Sequence, residues 1–191
     1  MMKMMRLCSA AFLLLCAASF ASAQPFEASV SGGATRIGSR DIGSGYSFDD
    51  GFDIGFRMTL NTYKFFGHEG GYIYNRTHLL ADGQDQGGMA IHTGFYNFLV
   101  YGTPEGSRIR PFAGGGVHFS NFVPPGQSAS YGQGNTKFGV NYGAGVKVKV
   151  TSLFHVRFDV HQWLTGKPFD LPGASGKLKL NTFSVGIGIG I

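Results

Sequence analysis

The chain has 191 residues, with 16 Lys or Arg and 11 Asp or Glu, and its formal net charge is +5. Because this charge is small and is not gathered into a basic run, nucleic acid is excluded as an expected partner. The chain also contains 31 Gly, 18 Phe and 8 Tyr. So many aromatic residues argue against the disorder that a glycine-rich composition can indicate.

Residues 1–23 have the features of a secretory signal peptide. Lys3 and Arg6 precede an apolar run over residues 10–18, and the small residues Ala21-Ser22-Ala23 follow as a cleavage site. An N-terminal membrane anchor is the alternative. It is disfavoured because the run is much shorter than the ~20 apolar residues that a spanning helix needs.

Both cysteines, Cys8 and Cys16, lie within this predicted leader. A mature chain beginning at Gln24 therefore has no disulfide and no metal site built on thiolate ligands. The scattered histidines, such as His155 and His161, are more typical of satisfied polar residues than of metal ligands. We predict neither a metal nor any other cofactor.

Eight segments of the mature chain alternate large apolar residues with glycine or polar residues. The clearest is 138–150, where Phe138 and Val140 begin an apolar face while Gly139 and Asn141 begin a polar one. A period of two residues predicts β-strands with one apolar face. The predicted strands lie, in chain order, near residues 26–34, 52–60, 65–76, 89–101, 108–122, 137–150, 153–163 and 178–191.

The connectors between these segments are alternately short and long. Those after the second, fourth and sixth strands are short, whereas those after the first, third, fifth and seventh are long and rich in Gly, Ser, Pro and Asp. This pattern predicts an all-β fold for residues 24–191: an eight-stranded antiparallel up-and-down transmembrane β-barrel with periplasmic short turns. A soluble β-sandwich or a lipocalin-like barrel is the alternative, although the apolar faces leave no polar side for water.

Aromatic residues fall near the strand ends, where a membrane-spanning barrel meets the lipid headgroups. The residues expected at this interface are Tyr72, Tyr74, Phe119 and Trp163.

The polar faces carry charges, which must be paired inside a narrow lumen. The predicted lumen ion-pair network comprises Arg57, Glu69, Asp53, Glu27, Lys147, Arg157 and Asp159. A turn that pairs Leu60 with Phe66 places Arg57 opposite Glu69, so we predict an ion pair between those two. Since side chains just fill the interior of an eight-stranded barrel, we expect this network to plug the lumen; a porin-like small-solute channel is the alternative.

In its leader, its eight strands and its last segment, the chain resembles the small OmpA-like and OmpX-like outer-membrane barrels of Gram-negative bacteria. The last segment, Asn181 to Ile191, is similar to the terminal strand that the barrel-assembly machinery reads, although that strand usually ends in an aromatic residue. The resemblance implies a location in the cell outer membrane and contact with outer-membrane lipids and lipopolysaccharide. It also implies a monomer without enzymatic activity.

A second, local resemblance concerns the segment Val117 to Asn121. His118 and Ser120 resemble the His-x-Ser-Asn motif of outer-membrane lipid A deacylases, in which His118 would be the base and Ser120 the nucleophile. Those enzymes orient the histidine with a glutamate shortly downstream, and residues 121–140 contain no acidic residue. The alternation also directs both side chains toward the lumen. We therefore predict no catalytic residue and keep lipid A hydrolysis as the alternative.

The long connectors are the remaining places for function, because binding residues gather on loops held by a rigid scaffold. Residues 36–51, with Arg36, Arg40 and several aspartates, are expected to contact lipopolysaccharide or bridging cations. Phe169 and Leu171 are apolar for an exposed loop, so they are expected to pack on the barrel mouth or to contact a partner. The predicted role is structural, in membrane integrity, or one of surface interaction through the extracellular loops.

Overall fold

The structure is a computed structural model, and it describes residues 25–38, 40–129 and 134–190. The predicted leader, 1–23, and the terminal Ile191 lie outside these residues, so the expectations about them stay predictions. Within the described part of the chain, no helix has the length and apolar character needed to cross a membrane.

Ten β-strands make up most of the described chain. They are β1 (Phe26–Gly38), β2 (Asp41–Gly43), β3 (Tyr46–Phe48), β4 (Gly51–Tyr63), β5 (Phe66–Ala81), β6 (Gln84–Tyr101), β7 (Ile109–Val123), β8 (Asn135–Lys149), β9 (Phe154–Gly166) and β10 (Lys177–Gly190). One 3-10 turn, Pro168–Asp170, lies between β9 and β10. Each of the eight predicted strands corresponds to one long strand, and the short strands β2 and β3 are additional.

The eight long strands form a closed antiparallel barrel, as predicted. Each pairs with the long strands before and after it, and β1 closes the ring by pairing with β10. The strands are staggered around the barrel. Starting at Arg76 on β5 and stepping each time to the directly opposite residue on the next strand, a complete circuit returns to β5 at Phe66, ten residues earlier in the chain. It runs through Phe52, Ala34, Phe183, Val160, Ala144, Ala113 and Val100. Such a displacement implies strands tilted by roughly 40° from the barrel axis.

The prediction of a long loop after the third barrel strand is wrong. β5 and β6 continue to pair as far as Ala81 and Gln84, and Asp82-Gly83 forms a two-residue turn between them. These two residues have φ angles of 48° and 79°, the left-handed values that a type I′ hairpin turn requires. The connection is therefore a long rigid hairpin.

The first long connection also contains regular structure. β2 and β3 form a small hairpin around Ser44-Gly45, and β3 pairs with the end of β5 from Tyr46 to Phe48. Because of this pairing, the hairpin lies over the end of the barrel that carries the long connections. We call that end the mouth.

The two faces of each barrel strand differ in chemistry. On β4, Ile54 is 57% exposed on the outside, whereas its neighbour Asp53 is 1% exposed on the inside. The same alternation gives the barrel an outer wall of exposed Val, Ile, Leu, Phe and Tyr. The closed barrel rules out the sandwich alternative, and its apolar exterior positions the charged residues in the lumen.

Candidate functional site

The barrel interior is the candidate functional site because it contains eight charged residues, each at most 9% exposed. The acids are Glu27, Asp53, Glu69 and Asp159, and the bases are Arg57, Arg110, Lys147 and Arg157. Four negative charges thus balance four positive charges among the described residues. This balance is what allows ionised groups to remain in a space that excludes most water.

Arg157 lies at the centre of this network. Its guanidinium donates to both carboxylate oxygens of Glu69, with Nη2 3.2 Å from Oε1, and its Nε donates to Asp159 Oδ2 at 2.8 Å. Arg57 Nη2 donates to the other oxygen of Asp159 at 3.3 Å. Since β5 and β9 lie on opposite sides of the barrel, these bonds cross the lumen.

A second cluster surrounds Glu27, nearer to the short turns. Lys147 Nζ is 2.5 Å from Glu27 Oε2, and Arg110 Nη1 is 3.6 Å from Oε1. Asn61 Nδ2 also donates to Glu27 Oε1, at 2.8 Å. The Arg110 guanidinium carbon lies 3.4 Å from the centroid of the Tyr101 ring, a close cation–π contact.

Asp53 is held by a hydroxyl group, which an amide group bonds in turn. Its Oδ2 accepts a hydrogen bond from Thr35 Oγ1 at 3.2 Å, and Thr35 accepts one from Asn75 Nδ2 at 2.7 Å. Among the described residues, no basic nitrogen lies within 4.0 Å of its carboxylate. The structure therefore places all seven residues of the predicted network inside the lumen and adds Arg110 to them.

The predicted direct ion pair between Arg57 and Glu69 is wrong. The structure places Arg57 opposite Gly71, and Glu69 opposite Thr59. The two-residue turn Lys64-Phe65 and the β-bulge beside it together set a register two residues away from the predicted one. An even shift keeps both side chains on the inward face. Their charges are met instead by Asp159 and Arg157 on β9.

An aromatic layer lies between the ionic network and the mouth. The Trp163 ring centroid is 5.3 Å from those of His118 and Phe95, and 5.5 Å from that of His161. Trp163 is only 4% exposed, so its predicted place at the membrane interface is wrong. It lies six residues after Arg157 on the same strand, and an even spacing puts both on the inward face.

An apolar plug fills the lumen beyond the aromatic layer. The plug consists of Ile37, Ile42, Phe48, Ile73, Met89, Ile91, Phe122, Leu178 and Leu180. Ile42 and Phe48 are fully buried and come from the β2–β3 hairpin, which thereby closes the mouth. Phe169 and Leu171 pack against the same cluster, which confirms that they lie on the barrel mouth.

His118 and Ser120 both point into the lumen and do not contact each other as a base and a nucleophile. Ser120 Oγ is 2.8 Å from Thr93 Oγ1. Neither ring nitrogen of His118 has a hydrogen-bond partner among the described residues. A nucleophilic serine needs its base within hydrogen-bond reach, so this arrangement lacks the first requirement of the motif.

The three other predicted interfacial aromatics lie on the outer wall. Tyr72 is 44% exposed and Phe119 is 50% exposed, and Tyr74 is half-buried beside them. The Tyr72 hydroxyl is bonded to His92 Nδ1, and the Tyr74 ring is 5.4 Å from the His92 ring. The bond between Tyr72 and His92 satisfies two polar atoms on the outer wall.

The apolar plug was not predicted. Met89 and Ile91 on β6 are an even number of residues from inward-facing Thr93, so the alternation itself was a usable signal. The sequence analysis assigns large apolar residues only to the lipid-facing side, so it does not predict an apolar lumen.

The profile of the family described as Outer membrane protein beta-barrel domain matches residues 7–189. The chain belongs to this family. A search of curated protein sequences found no significant match.

Several solved barrels have the same fold. Neisserial surface protein A (NspA) is 14% identical with a TM-score of 0.66, and the match covers 87% of this chain and 97% of that one. The outer membrane protein OprG from Pseudomonas aeruginosa is 15% identical with a TM-score of 0.56, over 86% and 95% of the two chains. The N-terminal β-barrel domain of Pseudomonas aeruginosa OprF is 13% identical with a TM-score of 0.53, over 86% and 97%.

Family membership gives the barrel its location, the outer membrane of a Gram-negative bacterium. The apolar outer wall therefore faces lipid, and the lipocalin-like alternative is wrong. By the convention of such barrels, the short turns are periplasmic and the mouth is extracellular.

Proposed function

We propose that this protein is a sealed, non-enzymatic outer-membrane barrel with a structural role in the membrane barrier. It presents its extracellular hairpins and loops as a surface for interactions, with lipopolysaccharide as the expected neighbour. It acts as a monomer and reaches the membrane through the barrel-assembly machinery.

The observation that carries this proposal is the double closure of the lumen. The ionic network around Arg157 crosses the barrel from β5 to β9, and the apolar plug fills the lumen beneath the β2–β3 hairpin. A small-solute channel would require both layers to move aside. Moving the ionic layer would separate paired buried charges, which is strongly unfavourable.

The arrangement of His118 and Ser120 supports a role without catalysis. Both side chains lie inside the lumen, whereas the acyl chains of a lipid substrate lie outside the barrel wall. Each has a different neighbour, Trp163 for the imidazole and Thr93 for the hydroxyl.

Deletion of the gene in the bacterium that makes the protein tests the proposal. We expect greater uptake of a lipophilic dye and greater sensitivity to detergent, because a structural component of the barrier is missing. A gene encoding Ser120→Ala should restore the barrier as well as the wild-type gene does. Its matched control is Thr93→Ala, which removes the partner hydroxyl.

An intact barrier in the deletion strain would contradict the structural role. Failure of a folded Ser120→Ala protein to restore the barrier, with Thr93→Ala succeeding, would favour the hydrolase instead.

A further inference from the structure

A polar row crosses the lipid-facing wall of the barrel. It consists of Tyr142, Gln162, Asn181 and Arg36, which are direct cross-strand partners on β8, β9, β10 and β1. The Tyr142 hydroxyl donates to Gln162 Oε1, and Gln162 Nε2 donates to Asn181 Oδ1 at 2.7 Å. All four point outward, since the residues that alternate with them, such as His161, are buried in the lumen.

A basic rim lies at the extracellular end of the same wall. It consists of Arg36, Lys177 and Lys179, all of which are exposed. No carboxylate among the described residues lies within 4.0 Å of these three cations. By contrast, Lys137 on β8 has its ammonium 2.5 Å from a carboxylate oxygen of Asp170. The rim therefore presents positive charge without an internal partner.

An apolar groove of about 330 Å³ lies on the periplasmic side of the polar row. Its lining includes Ala144, Val146, Phe158, Val160, Phe183 and Val185. Val160 is the cross-strand partner of both Ala144 and Phe183, and each of the three lies two residues below a member of the polar row. The groove thus continues the row toward the middle of the bilayer.

The three features follow one another in depth along β10, while Arg36, at the β1 end of the polar row, also forms part of the basic rim. At about 3.3 Å per residue and a tilt of roughly 40°, two residues along a strand change the depth by about 5 Å. Lys179 is two residues above Asn181 on β10, and Phe183 is two residues below it. Positive charge, hydrogen-bonding groups and apolar surface are therefore stacked along one wall over roughly 10 Å.

We propose that this wall binds one phosphorylated, acylated glycolipid of the outer leaflet. The basic rim receives its phosphate, the polar row bonds the amide or ester groups where the chains begin, and the groove holds an acyl chain. Basic side chains near a membrane surface attract anionic headgroups. Among the described residues, the Asn181 amide nitrogen and the Arg36 guanidinium donate no hydrogen bond, and polar groups at membrane depth require a partner, which the lipid supplies. This site goes beyond the proposed role of the interior and does not depend on a sealed lumen.

A second copy of the chain is the other occupant that a polar lipid-facing wall can have. A two-fold contact at this wall would place the basic rim of one copy against that of the other. No carboxylate of the described residues stands beside the rim to offset this repulsion. Charge therefore favours the anionic lipid.

Native mass spectrometry of the folded, mature chain with phosphorylated lipid A tests the proposal. The wild-type barrel is expected to retain one lipid. The double variant Arg36→Gln, Lys179→Gln is expected to bind at least roughly tenfold more weakly, since each basic side chain near an anionic surface strengthens binding by about fivefold.

The matched control is Arg76→Gln, which should bind as the wild type does. Arg76 is also an exposed, outward-facing arginine near the mouth, but its guanidinium lies against Gly88 on β6, away from the polar row. Electrophoresis of boiled and unboiled samples shows which variants fold. If the double variant does not fold, Lys179→Gln alone provides the comparison.

Two further probes separate the possible ligands. Lipid A without its phosphates and inorganic phosphate alone are both expected to bind much more weakly than the phosphorylated lipid. Equal binding of the dephosphorylated lipid would overturn the role of the rim, and equal loss in Arg76→Gln would overturn the site. A dimer that Gln162→Leu dissociates would overturn the proposal in favour of a second copy.

Discussion

Arg157 is the residue on which the interior depends most. Its guanidinium bonds two carboxylates, those of Glu69 and Asp159, and all three side chains are fully buried. A buried ion pair adds little to the free energy of unfolding when it is compared with an apolar replacement of both partners. Loss of one partner is different, because it leaves an uncompensated charge in a medium of low polarity.

Arg157→Met is therefore expected to lower the free energy of unfolding by about 3–5 kcal/mol. Urea unfolding in lipid vesicles, followed by the fluorescence of the single tryptophan, Trp163, measures this loss. The matched control is Arg40→Met, since Arg40 pairs with Asp49 while its side chain is 48% exposed. The control should lose less than about 1 kcal/mol. Equal losses of unfolding free energy in Arg157→Met and Arg40→Met would contradict the central place of Arg157 in the ionic network.

Asp85 lies at the tip of the β5–β6 hairpin, outside the membrane-spanning part of the barrel. The Gly87 N–H donates to its Oδ1 at 2.7 Å, and His78 Nδ1 lies 2.9 Å from its Oδ2. The bond from Gly87 and then the contact with His78 lower the pKa of Asp85. A lowered folded pKa means that these bonds stabilise the tip above the ordinary pKa of aspartate and lose that effect as the pH falls below about 4.

His78→Ala should raise the pKa of Asp85 but leave it below the ordinary value, because the bond from Gly87 remains. Carbon NMR of the Asp85 carboxyl group during an acid titration measures both values. An unchanged pKa in the variant would show that His78 does not contribute.

At the scale of the strand, glycines provide the space for rings inside the barrel. His118 lies against Gly139, its direct partner across β7 and β8. The same arrangement recurs for His161 on Gly143, His155 on Gly188, Phe95 on Gly71 and Phe112 on Gly145. Each ring occupies the position that a Cβ atom on the opposite residue would need. These glycines thus make room for large rings in a narrow tube.

Gly139→Ala is expected to destabilise the barrel by about 1–3 kcal/mol, as overpacking of a core does. The new Cβ would lie 2.2 Å from the Leu164 carbonyl oxygen and 2.6 Å from the His118 ring. Gly32→Ala is the control, because the nearest atom to its new Cβ is 3.8 Å away, and it should change stability by less than about 0.5 kcal/mol. Urea unfolding compares the two variants, and a similar effect of both would contradict the packing role of Gly139.

The strands could be predicted from sequence because period-two alternation is a local property. The register between two strands is less local: the position of the β4–β5 turn, together with one bulge beside it, separates Arg57 from Glu69. The hairpin at Asp82-Gly83 could have been predicted, since Asp-Gly is a strong signal for a two-residue turn. The cross-lumen bond of Glu69 to Arg157 could not, because it joins strands that never pair in the sheet.

At the scale of the whole molecule, the barrel has three zones along its axis. An ionic network occupies the periplasmic and central lumen, an aromatic layer around Trp163 follows, and the apolar plug closes the mouth beneath the β2–β3 hairpin. The outer wall is mostly apolar; its polar groups include the Tyr72–His92 pair on β5 and β6 and the polar row and basic rim on β8, β9, β10 and β1. A polar lumen is therefore filled and capped rather than open, which is the central claim of the structural role.

The recording of single barrels in a planar lipid bilayer tests this claim most directly. Samples whose mobility changes on boiling, and which are therefore folded, are used for the wild type and for the double variant Ile42→Ser, Phe48→Ser. We expect no resolved conductance steps from the wild type, and none from the variant while the ionic network remains intact. Stable open steps from the wild-type barrel would contradict the sealed lumen and favour a small-solute channel.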